Sequence, residues 1–221
     1  MFSTYFNITV TAEWCAFICS LTLLNKRTSI WRLFIPFLFI TIVTETIGWY
    51  LNYVVKHFNN TAPFNILMII GVIFFAWLFK QPNQMKRIKR KIDYIIMIFL
   101  LFAIINLFFF QHLWIYNSYT ETAGDIILAS ISCYFLLTVL KKEEYINLFQ
   151  YEYFWLANGL LFSCLGSVLI YIFSDSLFAY YKETKIPVYD YINYVLNIVL
   201  YGSLIIAFIC RRKTTRSSRV S

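Results

Sequence analysis

Seven apolar runs, each close to the length a helix needs to cross a lipid bilayer, dominate this chain and leave little room for a water-soluble fold. They cover Thr4–Leu24, Ile30–Val55, Pro63–Phe79, Ile92–Gln111, Thr122–Leu140, Tyr151–Ser174 and Pro187–Cys210. A helix rising about 1.5 Å per residue spans the hydrocarbon core in roughly 20 residues. With 60% of residues hydrophobic and 14% charged, against about 45–50% and about 25% in an ordinary soluble domain, too little polar surface remains to cover a soluble globule. The expected fold class is all-α: a seven-transmembrane-helix bundle over residues 1–210 and a short basic tail over 211–221.

Basic residues orient the bundle. If the runs alternate, one set of loops holds Lys26, Arg27, Arg32, Lys80, Lys86, Arg87, Lys89, Arg90, Lys91, Lys141, Lys142, Arg211, Arg212, Lys213, Arg216 and Arg219, which is 16 of the 19 lysines and arginines. The other set holds Lys56, Lys182 and Lys185. Lysine and arginine near span ends stay on the cytoplasmic side, so the N-terminus is expected outside and the C-terminus in the cytoplasm of a multi-pass inner (plasma) membrane protein. The same asymmetry accounts for the formal charge of +8. Anionic lipid headgroups, rather than nucleic acid, are the expected partners of the clusters Lys86–Lys91 and Arg211–Arg219, because both abut helix ends.

The first run lacks a basic leader and contains Glu13, which argues against a cleaved signal peptide. Five cysteines lie within or at the ends of spans, an odd number in places that favour free thiols packed as small apolar groups. Cys15 and Cys19 share a helix face without a histidine or carboxylate beside them, a weak set for a metal. Trp31, Trp77 and Trp155 are expected at the inner interface, and Trp49 and Trp114 towards the outer one. The stretch Asp175–Ile186 reads as a loop, and the Ser- and Thr-rich tail from Arg211 as irregular.

Polar groups inside the spans cost a few kcal/mol each, so they turn inward and mark functional candidates. Glu13 and Glu45 lie nearest the midplane. Asn52, Asn65, Asn106, Asp125, Asp190, Asn193 and Asn197 fall in the outer halves of their spans, whereas the inner halves are bare except for Asn158. Helical spacing puts Thr41, Glu45, Gly48 and Asn52 on one face, Asp190, Asn193, Asn197 and Tyr201 on another, and Asp125 with Ser132 on a third. No lysine or arginine sits mid-span, so Glu13 and Glu45 are expected to be protonated, bonded to neighbouring polar groups, or paired with a bound cation. The competing reading is interhelical glue, with the same groups clamping helices together and doing nothing else. Gly159, Ser163 and Ser167, at four-residue spacing, offer a small-residue seam for close packing. An odd helix number also permits a three-plus-one-plus-three repeat.

Several chemistries are missing. His57 and His112 fall at span ends, too far out for a multi-histidine metal centre. The seventh run has no lysine for a retinal Schiff base, and no phosphate loop, nucleophile elbow or Ser–His pair occurs. No catalytic residue, metal or cofactor is expected.

Tyr116-Asn117-Ser118-Tyr119-Thr120-Glu121, running on to Asp125 and Leu128, resembles a group of small bacterial seven-helix membrane proteins of unassigned activity. Phe154-Trp155-Leu156-Ala157-Asn158-Gly159-Leu160-Leu161 with Gly166, the segment from Asn193 to Asn197, Glu45 with Tyr50, and Asn65 extend the likeness. Gly71 stands where that group usually has a carboxylate in its third span. The group is similar to stand-alone membrane sensor modules, some of which accompany histidine kinases, so the resemblance implies a seven-helix fold and a membrane or cytoplasmic signalling partner.

Three functions fit these observations. The first is a receptor-like sensor holding a small ligand or cation in an outward-facing polar pocket that draws on Glu13, Glu45, Asn52, Asn106, Asp125, Asp190, Asn193 and Asn197. A small solute or proton-coupled transporter using Glu13 and Glu45 is the second. An intramembrane carboxylate enzyme is the third.

Overall fold

A computed structural model describes residues 8–24, 29–51, 61–141 and 147–217, with side chains to 214. Every regular element among them is helical: α1 (Ile8–Leu23), α2 (Phe34–Tyr50), α3 (Thr61–Leu78), α4 (Lys89–Ile105), α5 (Ser118–Leu140), α6 (Glu152–Ile172), α7 (Ser174–Thr184) and α8 (Val188–Ser217). Six of the helical segments are long and apolar enough to cross a membrane, and α1 is a shorter apolar helix within its described length. The chain therefore has the helices of a multi-pass membrane protein.

The four prolines punctuate this order. Pro36 and Pro63 lie in the first turns of α2 and α3, while Pro82 and Pro187 immediately precede a 3-10 turn (Asn83–Ile88) and α8. Those are positions where proline removes no helical hydrogen bond. A π-turn over Asn106–Phe110 closes α4, its last bond running from the Gln111 amide to the Asn106 carbonyl at 2.9 Å.

Consecutive long helices run antiparallel. Trp31 before α2, Tyr153 at the start of α6 and Phe208 late in α8 pack on one another at one end. Asn65 early in α3, the 113–117 loop and Tyr171 late in α6 gather at the other. Contacts close a ring in the order α1, α2, α3, α5, α6, α8 and back to α1, with α6 against α8 the most extensive and α4 leaning on α3 and α5 from outside. The close seam has a cause in glycine: a Cβ on Gly159 would come within 2.6 Å of Ser203 Cβ, and one on Gly166 within 2.3 Å of Leu196 Cδ2. Gly159 and Gly166, seven residues apart, thus set the α6–α8 approach.

One end of the bundle is dry and basic. Trp31 is 1% exposed and packs on Phe34, Tyr153 and Phe208 with ring centroids 5.1–6.3 Å apart. Phe75, Phe79, Met85 and Phe135 fill the space beside it. Lys80, Lys86, Arg87, Lys89, Arg90, Lys91, Lys141, Arg211, Arg212 and Lys213 surround this end. The opposite, acidic end carries Glu121, Asp175 and Asp190.

Three expectations from the sequence change. Trp31 belongs to the core and not to an interfacial belt, because α2, α6 and α8 converge there and a large ring fills the gap better than it would face lipid. The stretch Asp175–Ile186 is not a loop: Ser174–Thr184 form α7, an exposed charged helix stopped by Lys185 in a left-handed conformation at φ 60°. The tail does not turn irregular at Arg211, since α8 continues to Ser217, its basic residues lying where the negative end of the helix dipole favours them.

Candidate functional site

Glu13 and Glu45 lie within electrostatic reach of each other in the middle of the bundle. The α1 carboxyl is 2% exposed, and its Oε1 accepts a 3.1 Å hydrogen bond from the hydroxyl of Tyr201 on α8. Glu45, half-buried on α2, lies within electrostatic reach of both Glu13 and Tyr201. Glu13 Oε2 has no hydrogen-bond partner among the described residues. Three helices therefore bring two acids and one phenol together.

Asn197 and Asn193 continue the Tyr201 face one and two turns towards the acidic end. The Asn197 amide donates to the Asn193 carbonyl at 2.9 Å and to Asn193 Oδ1 at 3.1 Å, a ladder within α8. Asn52 lies outside the described residues.

A second acidic group stands between α5 and α6. The Tyr116 hydroxyl donates to Glu121 Oε2 and lies 2.5 Å from the Tyr171 hydroxyl, which is within electrostatic reach of the Glu121 carboxyl. One turn along α5, Asp125 lies within electrostatic reach of Glu121 and of the Cys164 thiol, and its Oδ2 is buried without a partner among the described residues. Tyr189, at the start of α8, comes within electrostatic reach of Glu121. Asp125 was a candidate from the sequence, whereas Glu121 entered only as part of a motif. The four-residue spacing of the two acids, which puts both on one helix face, was the available signal.

Asn106 and Asn65 are braces. Asn106 Nδ2 donates to Gln111 Oε1 at 3.0 Å and to Thr120 Oγ1 at 2.8 Å, joining α4 to α5. Asn65 Nδ2 donates to the carbonyls of Leu113 and Ile115 at 2.8 and 2.9 Å, and its Oδ1 accepts from the Asn117 amide at 3.1 Å. These bonds hold the α4–α5 connection onto α3, where a short loop has no ladder of its own.

At the acidic end a cavity of about 520 Å³ lies between α7 and α8. Asp175 and Asp190 contribute carboxylates, Phe178, Tyr181 and Tyr189 contribute rings, and no lysine or arginine lines it. Tyr189 connects this wall to the Glu121 group. Towards the basic end the rings around Trp31 fill the bundle, and Asn158 bonds back to the Phe154 carbonyl of its own helix at 2.8 Å.

The chemistry available is that of carboxyl groups flanked by phenols, with no cation in the middle of the described helices. Such groups hold cations or protons and accept hydrogen bonds. No cluster of three or more histidine, cysteine or acidic side chains suited to a metal occurs among the described residues, and all five cysteines are free thiols. No protein-family model matches the chain, nor does any curated protein or solved structure.

Proposed function

We propose that the protein is a receptor-like sensor of the bacterial inner membrane, which binds a small ligand or cation at its acidic end and passes the bound state to its basic end. In this reading α1 completes a seventh crossing, the N-terminus and the acidic end face outward, and the basic end lies in the cytoplasm, following the rule that lysine and arginine stay inside. The observation that carries the proposal is the asymmetry along the bundle axis. A cavity with two aspartates opens at one end, buried acids lie beneath it, and an aromatic plug closes the other.

A receptor needs a site open on one side only, and this arrangement supplies one. The plug and the inward-folded Asn158 weigh against a carrier, which requires a polar route to both faces. The resemblance to small seven-helix sensor modules supports the same choice. The basic end, ringed by lysine and arginine, suits anionic headgroups and a cytoplasmic or membrane signalling partner.

Thermal unfolding of the purified protein in detergent, screened against inorganic cations and small metabolites, tests the proposal. A ligand at a hundredfold excess over its Kd adds about 2.7 kcal/mol to the folded state. The expected result is a saturable rise in midpoint for one class of compound, lost in Asp190→Asn. A screen in which no compound moves the midpoint overturns it.

A further inference from the structure

We propose that the cavity between α7 and α8 recognises an organic ammonium group, and that the Lys182 ammonium is its built-in competitor. The inference rests on the reading of the acidic end as the ligand-facing end and adds the class of ligand.

The walls select the chemistry. Two carboxylates with no lysine or arginine in the lining disfavour anions, since a negative ligand there lies against the like charge of Asp175 and Asp190. A bare inorganic cation uses oxygen donors and gains little from rings, yet Phe178, Tyr181 and Tyr189 make up much of the wall. A neutral apolar ligand leaves the carboxylates unexplained. An alkylammonium uses both features, its charge against the aspartates and its carbon shell against aromatic faces, whose quadrupole attracts cations within about 6 Å. The volume of about 520 Å³ lies inside the roughly 300–1,000 Å³ usual for small-molecule sites.

The structure holds an internal example of that recognition. Lys182 Nζ stands 4.5 Å from the centroid of the Phe178 ring, one turn away on α7. Phe178 is also a wall of the cavity. The same ring therefore already attracts an ammonium, and a ligand reaching its face displaces Lys182 or shares the ring with it.

An ammonium group reaches this position either on a free small molecule or on a lipid headgroup, and the two are separable. The protein is reconstituted in nanodiscs of phosphatidylglycerol or of phosphatidylcholine. Tetramethylammonium chloride is titrated into each, with sodium chloride at matched ionic strength as control, and the unfolding midpoint is followed. In phosphatidylglycerol the expected result is saturable stabilisation by tetramethylammonium beyond that given by sodium. A further rise in phosphatidylcholine assigns the site to a free ligand, and saturation there before any addition assigns it to the headgroup; both outcomes uphold ammonium recognition.

Phe178→Leu is expected to weaken binding about three- to tenfold, the size of one ring's cation attraction. Asp190→Asn weakens it about tenfold or more, and Lys182→Gln tightens it about threefold. Equal effects of sodium and tetramethylammonium, or a tetramethylammonium response unchanged in both Phe178→Leu and Asp190→Asn, overturn the inference. So does the absence of binding in both the parent chain and Lys182→Gln. If another class of compound stabilises the protein while ammonium ions do not, this inference fails and the sensor reading stands; if nothing does, both fail.

Discussion

The Tyr201 hydroxyl on α8 donates a 3.1 Å hydrogen bond to Oε1 of Glu13 on α1, joining groups 188 residues apart in the middle of the bundle. Tyr201→Phe removes that donor and leaves a buried carboxyl with one fewer partner, a loss of about 1–3 kcal/mol. At about 2–4 °C per kcal/mol for a chain of this size, the unfolding midpoint falls by several degrees. Adding Glu13→Met to Tyr201→Phe recovers most of the loss, because two apolar groups of similar size leave nothing unsatisfied. A double variant no more stable than Tyr201→Phe alone would show that Glu13 has a role beyond accepting this bond.

Close approach of α6 and α8 makes a second prediction. Gly159→Ala places a methyl group 2.6 Å from Ser203 Cβ and 3.6 Å from the Leu200 carbonyl, so the helices separate at a cost of about 1–3 kcal/mol. Gly202→Ala, with nothing within 4 Å of the new atom, is neutral or stabilising by about 0.5–1 kcal/mol through its effect on helix propensity. Midpoints of the two variants measured side by side decide the matter; similar losses in both would mean that backbone entropy, not the α6–α8 seam, governs these positions.

Much of the fold was legible because the bilayer imposes a length and an apolar composition on each crossing. The six long helices fall where the apolar runs do. Convergence was less legible. Helix-face periodicity places Glu45 and Tyr201 on inward faces and the cost of an intramembrane charge turns Glu13 inward, yet only tertiary packing tells that α1, α2 and α8 share a junction. The Glu121 group was hidden for the same reason, since Tyr116 lies in a loop and Tyr171 on a different helix. The α7 helix escaped because eleven mostly polar residues carry no membrane signature. Trp31 was misplaced because a tryptophan beside a basic loop satisfies both an interfacial belt and a core, and composition does not separate them. The small-residue seam was read at four-residue spacing, whereas the helices touch at Gly159 and Gly166, two turns apart.

A third prediction concerns the ion pair at the basic end. Arg211 Nη1 lies 2.8 Å from Glu152 Oε1, with the glutamate side chain 6% exposed and the arginine 33%. Removing arginine strands a buried carboxylate, which costs about 3–5 kcal/mol, whereas removing the carboxylate leaves a guanidinium that still reaches water. Arg211→Gln is therefore more damaging than Glu152→Gln. Arg211→Lys recovers only part of the loss, because a single ammonium lacks the forked donors of arginine. Chemical unfolding of the three variants in one detergent orders them, and an Arg211→Gln variant milder than Glu152→Gln would refute the assignment.

The last prediction separates local from global stability at the acidic end. Asn65 makes three hydrogen bonds to the 113–117 segment, two as donor and one as acceptor. Asn65→Ala loses all three, at about 0.5–1.5 kcal/mol each, and frees the loop from α3. Asn65→Asp is worse than alanine despite its similar shape, because a carboxylate oxygen replaces the amide nitrogen opposite the carbonyls of Leu113 and Ile115 and acceptor faces acceptor. Hydrogen exchange at residues 113–117 accelerates in both variants, in aspartate most. Exchange at the opposite end, around Trp31 and Phe208, stays slow, because the aromatic plug shares no contact with this loop and opens as a separate unit. Faster exchange at both ends in Asn65→Ala would mean that the brace holds the whole bundle rather than the loop beside the candidate site.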